Sequence, residues 1–208
     1  MAGNNEIKNI FLSASVPLPD RDQKYIGTAD IIAIRDAVIA LTTVVLPKHR
    51  LVWGGHPSIT PLVYYVMEKL NFNIQDHVKL YQSRFFERFF PEDNNKFNNV
   101  TLTDIIEDDR EKSLLHMRER MLSEFDFSAA VFIGGMEGIN GDDEKGIDGE
   151  FKMFRERHPK ALILPIASTG AATKIIYDTV VPEEMKNERF EKDYGYMSLF
   201  QKYLMERI

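Results

Sequence analysis

The sequence is built from short apolar runs that end in small or glycine residues and alternate with longer stretches of helical period. Such runs occupy residues 8–16 (KNIFLSASV), 50–55 (RLVWGG), 78–83 (VKLYQS), 129–135 (AAVFIGG) and 161–166 (ALILPI). They are mostly continuous rather than alternating, which is the pattern of a strand buried on both faces. A strand of that kind needs a parallel sheet with helices packed on each side. Helices are read at 28–46, about 60–70, 109–125, 149–158, 171–180 and 198–208. In the first, Ile31, Ile34, Val38, Leu41 and Val45 recur every three or four residues and form a buried stripe, Thr28 is the expected N-cap, and Pro47 ends the helix. The stretch 84–108 begins RFFERFFPEDNNKFNN and reads as a short helix broken at Pro91, followed by a loop. In the last helix Leu199, Tyr203 and Leu204 face inward.

The expected architecture is α/β and Rossmann-like: a mostly parallel sheet of about five or more strands with helices on both faces. Its 208 residues are read as a single domain, with residues 183–208 a C-terminal helical extension of it. The chain has no cysteine, so disulfides, thiolate catalysis and Cys-ligated metal centres are excluded. Net charge is −6, whereas a general nucleic-acid binder carries a basic face. The polar N-terminus and the lack of an 18-residue apolar run point away from membranes and to a cytoplasmic protein.

Ligands of doubly wound sheets lie at the carboxyl ends of the strands, near the reversal of strand order. Four strand ends carry small residues: Ser13-Ala14-Ser15, Gly54-Gly55-His56, Gly134-Gly135-Met136-Glu137-Gly138 and Ser168-Thr169-Gly170. Each allows close backbone approach, and a helix start beyond it offers N–H groups to a phosphate. Tight strand-to-helix turns also need glycine, so it is the set of four that points to a nucleotide-like pocket. Neither G-x-G-x-x-G nor G-x-x-x-x-G-K-[ST] is present, which argues against a dehydrogenase and a P-loop ATPase. The five histidines lack metal-ligand spacing, and Asp142, Glu144 and Asp148 lack the EF-hand pattern; no metal or other cofactor is expected.

The segments FLSASVP (11–17), TADIIAIRDAV (28–38), RLVWGGHPSITPL (50–62), LYQSRFF (80–86), SLLHMRERML (113–122), AAVFIGGMEGI (129–139) and ILPIASTGAAT (163–173) resemble the SLOG superfamily. This Rossmann-like group includes the cytokinin-activating LOG phosphoribohydrolases, the DNA-processing protein Smf and the nucleotide-sensing regions of TRPM channels. The branch most similar to this chain is the prokaryotic one associated with nucleotide signalling and antiviral defence. The resemblance runs from about residue 9 to 180. It implies a pocket for a nucleotide or nucleotide-derived molecule, a homo-oligomer and, for a sensor, a separate effector protein.

In LOG enzymes a P-G-G-x-G-T-x-x-E motif binds phosphate and supplies a carboxylate. Here Ile133 and Ile139 replace the proline and threonine, and Glu150 follows an insertion. The resemblance makes Glu150, Glu137 and Arg84 the catalytic candidates, with Arg118 an alternative arginine. As a bland reading, Glu150 is a helix-start carboxylate and Arg84 a surface ion-pair partner of Glu87. Ser13, Ala14, Ser15, Gly54, Gly55, His56, Met136, Gly138, Ser168, Thr169 and Gly170 complete the expected ligand set with Gly134 and Gly135. The phenylalanine pairs 85–86 and 89–90 either stack a base or belong to the core or an interface. Two functions remain open: a binding module for a nucleotide signal (NAD-derived or cyclic), which the lost threonine favours, and an N-glycosidic hydrolase of nucleoside monophosphates.

Overall fold

The computed structural model describes residues 6–19, 23–70, 74–136 and 146–208. Six strands, β1 (Asn9–Ser15), β2 (Arg50–Gly54), β3 (Val78–Ser83), β4 (Val100–Thr103), β5 (Phe127–Gly134) and β6 (Leu162–Ile166), form one sheet in the order β4-β3-β2-β1-β5-β6. Every pairing is parallel. The chain builds outward from β1 to β4, then crosses back so that β5 pairs with the other edge of β1. The β1/β5 junction is therefore the point where strand order reverses.

The helices are α1 (Gln23–Ile26), α2 (Ile31–Val45), α3 (Thr60–Lys69), α4 (Arg110–Ser123), α5 (Gly146–Arg157), α6 (Ala171–Thr179), α7 (Glu188–Lys192) and α8 (Tyr196–Phe200). A π-helical turn, Gln201–Met205, continues α8. Successive strand residues point to opposite faces, so each strand feeds two cores. Ile10, Leu12, Leu51, Trp53 and Leu80 join α2, α3, α7 and α8 on one face. Phe11, Val52, Tyr81, Ala130 and Phe132 join α4, α5 and α6 on the other, where Phe11 stacks on Phe154 with ring centroids 5.5 Å apart. Both sides of β1 are covered, which explains its uninterrupted apolar run.

Three details differ from the sequence reading. First, residues 84–108 contain two 3-10 helices, Arg84–Phe89 and Glu92–Lys96, and the edge strand β4. With sequence VTLT and only Thr103 buried, β4 has no apolar run to announce it. Second, Asp30 rather than Thr28 caps α2, accepting the Ala33 N–H at 2.9 Å. Thr28 instead donates to the carbonyls of Lys24 and Tyr25, and the helix starts two residues later than the pattern implied. Ile31 is consequently half exposed, and Ala33 and Ala37 take its place in the core. Third, the terminal helix changes to π geometry after Phe200. Leu199 and Leu204 are buried as expected, while Tyr203 is only partly so.

Asp30→Ala should lower stability by about 1 kcal/mol, the usual worth of an N-cap, read as a lower urea midpoint. Tyr196 on α8 is buried, and its hydroxyl lies 3.0 Å from Ser168 Oγ. Burial pushes its phenol up to about 12, against the Ser168 hydrogen bond, which pulls the other way. A raised folded-state value favours the neutral phenol in the native protein. Its contribution is intact below the unfolded value of about 10 and lost as pH rises toward 12. The fall in urea midpoint between pH 8 and pH 11 should be smaller in Tyr196→Phe than in the wild type.

Candidate functional site

A cavity of about 530 Å³ opens over the carboxyl ends of β1, β2 and β3. Its wall is built in register with the sheet. β1 contributes Ser13, Ala14 and Ser15 where its apolar run ends, and β2 ends at Gly54 and is followed by Gly55 and His56. Gly54 lets α4 come close: a Cβ there would lie 3.1 Å from the Met117 side chain. Gly55 has a stricter role, because a Cβ would sit 1.8 Å from Gln82 Nε2. A larger residue at position 55 would require the Gln82 side chain, at the end of β3, to move from this place.

Helix α4 is the second wall. Asp109 caps it by accepting the Lys112 N–H at 2.8 Å. Arg110, Leu114 and Arg118 then recur at four-residue spacing along one face, with Glu111 and Met117 beside them. Helix α5 supplies Ile147 and Glu150, three residues apart, while Phe151 and Phe154 anchor it in the core. Because α5 begins at Gly146, Glu150 is its fifth residue and lies past the first turn, so it is not the helix-start carboxylate that the sequence suggested.

Glu150 is the meeting point of three elements. Arg118 Nε donates to its Oε1 at 3.1 Å, and Ser13 Oγ donates to its Oε2. The Arg118 and Glu150 side chains are only 10% and 15% exposed. Both carboxylate oxygens are thereby used, and the group is fixed in orientation from two sides. Arg110 and Glu111 form a second ion pair on the same wall. His56 Nδ1 accepts the Ser58 N–H at 3.2 Å, so the neutral ring carries its proton on Nε2.

Of the expected site residues, Ser13, Ala14, Ser15, Gly54, Gly55, His56, Arg118, Met136 and Glu150 line this one cavity. Glu137 and Gly138 lie outside the described residues. Arg84 is elsewhere: it sits at the start of a 3-10 helix, 45% exposed, and pairs with Glu87 at 3.5 Å. Arg118 is the arginine beside the carboxylate.

Gly134 and Gly135 are also outside the cavity lining, and their N–H groups donate to Thr169 Oγ1 and the Ser15 carbonyl. Their φ angles are +61° and +87°, so this pair turns the backbone where L side chains would be strained. Thr169 is fully buried and donates to the Ile166 carbonyl at 2.6 Å. Ser168 bonds Tyr196, and a Cβ on Gly170 would strike the Thr28 carbonyl oxygen at 1.9 Å. The fourth strand end thus ties β5, β6 and α2 together instead of facing the cavity.

Sequence reading missed Gln82, Arg110 and Glu111. Gln82 carried a usable signal, being a polar residue at the carboxyl end of an apolar strand, as Ser13 is. Of the phenylalanines, Phe86, Phe89 and Phe90 line the cavity. Among the described residues no group of three or more His, Asp or Glu side chains could hold a metal, and no helix is long and apolar enough to cross a membrane.

The model of the SLOG cluster3 family matches residues 24–204. The chain belongs to the SLOG cluster3 family. The match takes in α7 and α8, beyond the point near residue 180 where recognisable motifs end. No curated protein matches this SLOG chain. Among solved structures it is similar to the X-ray structure of TM1055, with a TM-score of 0.54 and 13% identity over 88% of this chain and 89% of that one. At that identity the likeness concerns the fold, a Rossmann-like α/β sheet.

Two arginine substitutions separate the cavity pair from the surface pair. Arg118→Ala leaves a largely buried carboxylate without its cation and should cost about 1–3 kcal/mol. Arg84→Ala removes an exposed pair and should change stability by less than about 0.5 kcal/mol. Urea unfolding of both variants tests the difference.

Proposed function

We propose that the cavity binds a nucleotide or nucleotide-derived small molecule. The observation that carries this reading is the convergence of Ser13, Arg118 and Glu150 at the mouth of the β1/β5 reversal, where α/β sheets receive their ligands. Carboxylate, guanidinium and hydroxyl groups together suit a ribose with its phosphate: hydroxyls donate to Glu150, and Arg118 has further N–H groups for an anion. Membership of the SLOG cluster3 family supports the same ligand class. As a sensor, the protein would pass binding of an NAD-derived or cyclic nucleotide to a partner protein or to further copies of itself.

Glu150 itself favours a second reading, hydrolysis of the N-glycosidic bond of a nucleoside monophosphate. An ionised carboxylate held by Arg118 and Ser13 is suited to orienting the ribose and stabilising positive charge at C1′ as the base departs. The C1′–N bond breaks as water forms the new C1′–O bond; water loses one proton and the departing base takes one up, giving ribose 5-phosphate and the free base.

The two readings part in one experiment. Nucleoside monophosphates and NAD are added to the protein, melting is followed, and products are separated by chromatography. A ligand at about a hundred times its Kd should raise Tm by roughly 5–10 °C. Stabilisation without turnover supports binding alone. Base release that is lost in Glu150→Gln supports hydrolysis. The absence of any shift with all of these ligands overturns the nucleotide assignment.

A further inference from the structure

A second part of the cavity lining has a different chemistry, and nothing in the ribose and phosphate assignment uses it. Phe86, Phe89, Phe90 and Pro91 line it. Phe86 and Phe89 both lie in the 3-10 helix Arg84–Phe89, whose three-residue period puts positions i and i+3 on the same ridge. Both rings thus serve one wall. Phe85 packs edge-on against Phe86 at 5.2 Å, and the Arg110 guanidinium lies 5.6 Å from the Phe86 ring centre, so Phe86 is held in place. Phe89 is held by much less: it is 76% exposed, more than any other large apolar side chain among the described residues. A large ring on the rim of a deep cavity, wet in the free protein, is a surface that a flat ligand can cover.

Gln82 is the second, independent observation. The residue is 5% exposed and lines the same cavity, in the space left by Gly55. Its backbone carbonyl accepts from Thr103, but among the described residues its side-chain amide makes no hydrogen bond to protein. The amide is not sealed from water: it faces the open cavity, where a ligand can take the place of solvent. A primary amide presents a donor and an acceptor side by side, the pattern that pairs with the edge of a nucleobase.

Resting on the proposed nucleotide function, we infer that Gln82, Phe86 and Phe89 form a base-recognition subsite, with the rings stacking a planar heterocycle and the Gln82 amide reading its edge. The ligand is then a nucleoside derivative with its base intact, and a sugar phosphate without a base is a poor substitute.

Calorimetry with adenosine 5′-monophosphate and ribose 5-phosphate tests this. The wild type should bind the nucleotide at least tenfold more tightly than the sugar phosphate, since stacking on an aromatic side chain is worth about 1–3 kcal/mol. In Phe89→Ala, where an exposed side chain is removed and folding is little disturbed, that ratio should fall about tenfold. Gln82→Met, which keeps length and removes the amide, should lower it as well. Equal affinities of the wild type for the two ligands, or an unchanged ratio in both variants, overturn the subsite while leaving the nucleotide cavity intact. A wild type that binds neither ligand overturns the subsite, and if NAD and the other nucleoside monophosphates also fail to bind, the nucleotide cavity falls with it. A concentration-dependent dimer that dissociates in Phe89→Ala, with the ratio unchanged, assigns the ring to a second copy of the chain and also overturns the subsite.

Discussion

Pairing of β1 with β5 is the interaction on which the rest of the molecule depends. The register runs from Asn9 opposite Phe127 to Ser15 opposite Gly134, and it closes with the Gly135 N–H on the Ser15 carbonyl at 2.8 Å. It places the reversal of strand order beside β1. It also sends the crossover helix α5 to the face already occupied by α4, which is why Glu150 of one helix meets Arg118 of the other above Ser13. Without that pairing, three residues from distant parts of the sequence would have no common point.

The charges of the site are balanced locally. Arg118 pairs with Glu150 and Arg110 with Glu111, so these four lining residues add no net charge, although the whole chain carries −6. The proposed anionic ligand would consequently be met by directed donors at short range and not by a broad positive field. Paired groups in a partly enclosed space keep their geometry better than free surface charges, because each is desolvated only where its partner replaces water.

The apolar runs made the sheet readable, since burial on both faces leaves a continuous pattern in five of the six strands. β4 escaped because an edge strand with little burial has no such pattern. The reversal of strand order explains the mixed outcome for the strand ends. Ser13, Gly54 and Gly55 reach the cavity, whereas Gly134, Gly135, Thr169 and Gly170 meet the same backbone demands for the sake of the turn itself. Glycine and hydroxyl residues at a strand end look alike in sequence whether they face a ligand or tie loops together. Arg118 could not be preferred over Arg84 from one chain of letters, because the choice rests on the packing of α4 against α5. Gln82 was legible in principle, but its significance depends on Gly55, which is distant in sequence and adjacent in space.

The position of β1 also has a consequence for the order in which the molecule assembles. More than half of the sequence lies between β1 and the strand that covers its second edge. Until that segment arrives, a long apolar strand has one open side, and contacts separated by so much chain form slowly because a large loop must be closed first. β1 to β4 make a consecutive run that can pair as the chain lengthens. Glu150 can reach Ser13 only after β5 has docked, so a chain interrupted before that point would hold most of its sheet and none of its carboxylate clamp.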